Sequence, residues 1–234
     1  MELSTSREAN LREQVRDRVR SEIVSGRAQP GRVYTVPALA SELGVSTTPV
    51  REALLELSRA ALLVPMRNRG FKVQPLSLEA LGNLFDMREL LERHALETLA
   101  RQGLADPEPL VALADAVAAA VGSSDVTGYI AADRVFHETL VSRVGNPLLT
   151  KMVMQLRDDM RLYGIDSPDG LRRQRESVGE HYRMVDLAVD RRVEEIGELI
   201  SSHILSWKPL FTAALTPEDN VAVQSTSSRA AVVL

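Results

Sequence analysis

The chain of 234 residues contains no cysteine, so it has neither a disulfide framework nor thiolate chemistry, and any metal site must use His, Asp or Glu. It also lacks a run of about 18 apolar residues able to span a bilayer. The opening stretch MELSTSREANLREQVRD is polar and charged, without the apolar centre of a secretory signal, so a cytoplasmic location and no membrane partner are expected. No internal repeat is present. HExxH, G-x-S-x-G and a glycine-rich phosphate loop are all missing, which removes the common sequence marks of hydrolases and nucleotide enzymes.

The formal net charge of −4 conceals an asymmetry. Residues 1–75 carry 12 Lys and Arg against 8 Asp and Glu, and the remainder carries 16 against 24. A cationic first module on an acidic second one suits contact of the first with nucleic acid, because phosphate neutralisation supplies most non-specific binding.

Apolar positions Leu11, Val15, Val19, Ile23 and Val24 recur at helical steps and stop at Gly26. After the Gln29-Pro30-Gly31 turn, Pro37 to Leu43 reads as a short helix ended by Gly44. Ser46 or Thr47 then caps a helix running to about Arg59, with Pro49 in its first turn. Leu62, Val64, Phe71 and Val73 flank Arg67-Asn68-Arg69-Gly70 as a two-stranded hairpin with a basic tip. Helix, turn, helix and hairpin in that order make a winged helix-turn-helix. Its second helix would present Ser46, Thr47, Thr48 and Arg51 to base edges and phosphates of the major groove. Arg67, Asn68, Arg69 and Gly70 at the hairpin tip would reach the adjacent groove or backbone.

From Ser77 onward strand signals end. Helices are expected near 78–102, 107–121, 126–144, 147–163, 169–189 and 191–211, separated by turn-forming sequences, as an antiparallel six-helix bundle. The chain is therefore expected to be mainly α, with a DNA-binding domain over 1–75, an all-helical domain over 76–213 and a disordered tail over 214–234.

Four histidines lie in the helical half. Asp133 and His137 are spaced i, i+4 and share one helix face, while His181 and His203, 22 residues apart, sit where two antiparallel helices can bring them together. A His3Asp set with open positions suits Zn, Ni, Mn or Fe. A helical histidine is more commonly a surface or core residue, and that remains the reading of His94.

The segments Leu43-Gly44-Val45-Ser46, Thr48-Pro49-Val50-Arg51-Glu52-Ala53-Leu54 and Arg69-Gly70-Phe71-Lys72-Val73 resemble the GntR family of bacterial regulators. Relatives usually have Arg where this chain has Thr47. Residues 76–212 resemble the FCD sensory domain of the FadR-like branch. Asp133, His137, the Gly145-Asn146 pair, Glu180-His181 and His203 follow that domain's metal-binding order. The resemblance implies a homodimer on a pseudo-palindromic operator and a small carboxylate effector held beside the metal. It also implies that Arg88 faces the effector cavity, for which a surface ion pair with Glu92 is the alternative. A repressor without enzymatic activity, released by its effector, is the resulting expectation. The rivals are a metal-dependent enzyme acting on small acids, and a DNA-binding regulator whose bundle only dimerises.

Overall fold

The computed structural model describes residues 2–160, 162–213 and 215, with side chains from Asn10 onward. The chain divides into two compact units, Met1–Leu76 and Ser77–Leu234.

The first unit begins with helix α1 (Glu2–Val24), which buries Val15, Val19 and Ile23 against α3. Strand β1 (Val33–Tyr34) follows, then α2 (Val36–Leu43) and α3 (Thr47–Arg59). Thr35 caps α2 by accepting from the Ala38 amide, and Gly44 closes it with φ 64°. Val50, Ala53, Leu54 and Leu57 form the buried stripe of α3, so the remaining faces are free for solvent. Strands β2 (Leu63–Met66) and β3 (Gly70–Val73) form the hairpin. Gly70 adopts φ 110°, and a Cβ there would collide with the Tyr34 carbonyl, so β1 can approach the hairpin only with glycine at this position. The hairpin is thus not two-stranded as expected: β1 joins it in the antiparallel order β1-β3-β2, with Val33 opposite Lys72.

The second unit is all helical: α4 (Leu78–Gln102), α5 (Glu108–Gly122), α6 (Val126–Ser142), α7 (Pro147–Asp159), α8 (Pro168–Val189), α9 (Val193–Leu205) and α10 (Lys208–Ala213). Side-chain oxygens of Ser77, Asp125, Asn146 and Ser167 cap α4, α6, α7 and α8, each accepting a backbone N–H of the first turn. Two expectations need correction. The helix expected over 191–211 is two helices, because Pro209 has no amide hydrogen to donate and its ring would clash with the carbonyl four residues back, so the described bundle has seven helices. The helix expected to reach 163 ends at Asp159. Met160, Tyr163 and Ile165 keep an apolar pattern but are buried from a loop, which Gln174 holds by donating to the Ile165 carbonyl at 2.7 Å. The tail expected over 214–234 lies outside the described residues except for residue 215.

Candidate functional site

On α3, the residues expected to meet DNA are all at the surface. Ser46 precedes the helix in extended geometry without making a side-chain cap, and Ser46, Thr47, Thr48 and Arg51 are exposed. Arg67, Asn68 and Arg69 are exposed at the hairpin tip, where Asn68 takes φ 58° and the Arg69 amide donates to Met66. Among the described residues, Arg51, Arg67 and Arg69 form no ion pair, so three guanidinium groups of this unit are uncommitted.

In the second unit, polar side chains line up inside the bundle. Tyr129, Asp133 and His137 follow one another at four-residue steps on α6, and Arg173, Ser177 and His181 do so on α8. The two stripes meet. Ser177 gives its proton to the Gln174 carbonyl at 2.8 Å, so Tyr129 is the donor in its 3.1 Å contact with Ser177. One step along, Asp133 Oδ1 lies 3.2 Å from His181 Nε2 and 3.6 Å from His137 Nε2. His203 enters from the last turn of α9 with its ring centroid 5.1 Å from each of the other two imidazoles. Phe136 packs its ring 4.6 Å from that of His181 and 5.2 Å from that of His137, restricting both rotamers.

The ligand atoms of Asp133, His137, His181 and His203 all lie within 4.8 Å of one another, and the three imidazoles are buried. His137 and His181 bring their Nε2 atoms to 3.2 Å, while a tetrahedron with metal–nitrogen bonds of ~2.0–2.1 Å has an edge of about 3.3 Å. A single proton between two nitrogens satisfies one pair; a cation at the centre satisfies all four atoms. Burial pushes the His137 imidazole well below its ordinary range and His203 down to about 4, leaving both neutral with a lone pair to offer at neutral pH. Nδ1 of His137 and of His181 is buried without a partner. The donor set and its geometry therefore fit a divalent metal ion.

Asp133 turns its other oxygen to a network of interior ion pairs. Arg157 of α7 donates to Asp133 Oδ2 at 3.0 Å and to Glu92 Oε2 at 2.8 Å, and Arg88 donates to Glu92 Oε1 at 2.8 Å. Burial alone would raise the Glu92 carboxyl, but Arg157 and Arg88 outweigh it and hold the group at about 2. Of the two alternatives for Arg88, the i, i+4 pair with Glu92 is present, but it is interior rather than on the surface. Asp133, Arg157 and Arg88 keep 20%, 9% and 8% of their side chains accessible, whereas the imidazoles of His137 and His181 keep none. Asp133 is thus the most accessible of the four candidate ligands. His94 is exposed on α4 and takes no part.

Local sequence pattern does not point to Arg157, Tyr129, Arg173 or Ser177, and it offers Glu92 only as an ion-pair partner of Arg88 and Glu180 only as the neighbour of His181. The usable signal is a charged or hydroxyl residue within an otherwise apolar helical stripe, as Arg157 stands four residues after Val153.

Residues 11–73 match the bacterial regulatory proteins of the gntR family, and residues 83–206 match the FCD domain. The chain is 30% identical to the Nta operon transcriptional regulator of Aminobacter aminovorans over 184 residues, covering 77% of this chain and 85% of that protein. It is 27% identical to the gluconate operon transcriptional repressor of Bacillus subtilis over 149 residues, or 62% of this chain and 60% of the repressor. The fold matches Escherichia coli McbR with a TM-score of 0.78 at 22% identity, over 88% of this chain and 99% of McbR. A winged helix-turn-helix with uncommitted cations, joined to a helical unit with a polar interior, is accordingly that of a transcription regulator, and the chain belongs to the gntR family of bacterial regulators with a C-terminal FCD domain.

Proposed function

We propose that this regulator is a cytoplasmic homodimeric repressor whose grip on a pseudo-palindromic operator is set by a small organic acid bound beside a divalent ion. In this reading Ser46, Thr47, Thr48 and Arg51, at the start of α3, enter the major groove, and Arg67, Asn68, Arg69 and Gly70 engage the neighbouring groove or backbone. Asp133, His137, His181 and His203 hold the ion, and Arg88 faces the acid. The observation that carries this reading is the convergence of four ligand atoms within 4.8 Å inside the helical unit of a DNA-binding regulator.

A bound divalent cation supplies open coordination positions for carboxylate oxygens. The charge balance favours an anionic effector. Arg88 and Arg157 offset Glu92 and Asp133, so the interior is near neutral while His137 and His203 are uncharged, and the two charges of an ion call for an anion. Arg88 uses only Nε on Glu92, and its terminal NH2 groups make no hydrogen bond among the described residues, leaving them for a carboxylate. Effector binding then shifts the population between states of different operator affinity, typically by about 1–3 kcal/mol.

Chelator-treated protein reloaded with Zn, Ni or Mn is expected to take up one ion per chain. Its melting temperature should rise, by an amount corresponding to about 2.7 kcal/mol at a free metal concentration of one hundred times Kd. His137→Ala should lose the uptake, and a panel of small acids should change the operator gel shift only in the metal-loaded wild type. No uptake, or acids acting equally without metal, overturns the proposal.

A further inference from the structure

The three imidazoles are not held alike. His203 Nδ1 lies 2.6 Å from Glu180 Oε2, whereas the Nδ1 atoms of His137 and His181 are buried with no partner. The same Glu180 oxygen accepts from the NH2 group of Arg173, which also lies 3.4 Å from the main-chain carbonyl of His203. Arg173 is itself buried, and its guanidinium packs over the ring of Trp207 at 5.5 Å. Glu180 thus reaches from α8 across to the single ligand that α9 contributes, and Arg173, two turns earlier on α8, fixes the carboxylate from the other side.

An acceptor at Nδ1 holds the ring proton there and leaves Nε2 as the bare lone pair; a charged acceptor also makes the ring a better donor. We propose that Glu180 is a positioning residue of the metal centre. It selects the Nδ1–H tautomer of His203 and aims Nε2 at Asp133, His137 and His181, while Arg173, backed by Trp207, keeps Glu180 in place. This assignment rests on the metal reading above and extends it: affinity is set partly by a pair of residues that donate no ligand atom. One ligand is fixed in advance, and the two without Nδ1 partners can adapt.

Two measurements on the full chain test it. In metal-free protein, ring 15N–1H correlations are expected to show His203 as the Nδ1–H tautomer, and Glu180→Met is expected to abolish that preference. Zinc affinity, measured by competition with a chromophoric chelator, is expected to fall about 10- to 100-fold in Glu180→Met. Glu180→Gln keeps an acceptor oxygen and should recover most of the loss. The double variant Arg173→Met, Glu180→Met leaves no unpaired buried charge, and it decides the matter if the single variant does not fold. An Nε2–H tautomer of His203 in the wild type, or unchanged zinc affinity in the folded variants, overturns the assignment. If the wild type binds no zinc, the metal reading falls, and the tautomer measurement still decides the role of Glu180.

Discussion

Among the described residues, the first unit buries apolar side chains and keeps its charges outside, whereas the second unit buries Arg88, Glu92, His137, Arg173, Gln174, Ser177, His181, Ser201 and His203. The core of the first is Val15, Val19, Ile23, Leu54, Leu57 and their neighbours, and its polar chemistry sits on one end of α3 and on the hairpin tip. The difference matches the size of the partner proposed for each unit. A duplex is larger than the unit that grips it and must be met on an exterior surface. A small anion gains most where water is excluded and donors are held in advance, and that requires an interior whose polar groups satisfy one another. The two units should therefore answer mutation in opposite ways.

The sharpest contrast lies in the buried ion network. Arg157→Met leaves Glu92 and Asp133 without their shared partner, and loss of one member of a buried ion pair costs about 3–5 kcal/mol. Trp207 is the only tryptophan of the chain and lies in the second unit, so its emission follows the unfolding of that unit alone. A urea midpoint that moves by less than about 1 kcal/mol equivalent would show that water reaches the network and that the interior is not the low-dielectric site described above.

Acid gives the next largest effect. Burial holds His203 at about 4 in the folded chain against an ordinary 6.5, so the unfolded chain takes up the proton first as pH falls. The stability tied to His203 is complete above about pH 6.5 and drains away towards pH 4. Glu92, held at about 2, adds a second loss below 4.5. In chelator-treated protein the second unit is expected to lose about 2 kcal/mol between pH 7.5 and 5 from His203 alone. A Trp207-monitored urea midpoint that stays flat across that interval contradicts the burial of the imidazole.

Much of this was legible in the sequence, for identifiable reasons. α4 was bounded at both ends because Ser77 caps it and Gly103 ends it, and the apolar stripe between them keeps a helical period. The four ligand candidates were found because Asp133 and His137 share a helix face and histidine is rare in this chain. Strand β1 was missed because two residues cannot show alternation; it exists only because Gly70 lets Tyr34 approach the hairpin. The break before α10 was in fact written in Pro209, whose effect the apolar periodicity masked. The Arg157–Glu92 pair spans 65 positions and is made by the packing of α4 on α7, so local spacing carries no trace of it. Glu180 stands in the sequence only as the neighbour of His181 in the metal-binding order, and the arrival of α9 gives it His203 as a partner.

The smallest expected effect on stability belongs to the first unit, and it sharpens the contrast most cleanly. Arg51 is exposed and unpaired, so Arg51→Ala should shift unfolding by less than about 0.5 kcal/mol and leave metal uptake unchanged. Its effect on DNA should be larger, about 1–3 kcal/mol if the guanidinium reads a base edge, with relaxed preference at one operator position. If instead it clamps a phosphate, binding should weaken evenly across sequences and the salt slope should fall by about one. Anisotropy titrations on an operator selected from random duplexes, repeated at several salt concentrations, separate these outcomes. A variant that folds and loads metal normally yet binds its operator as tightly as the wild type, with the same salt slope, would remove Arg51 from the DNA interface and leave the hairpin tip to carry it.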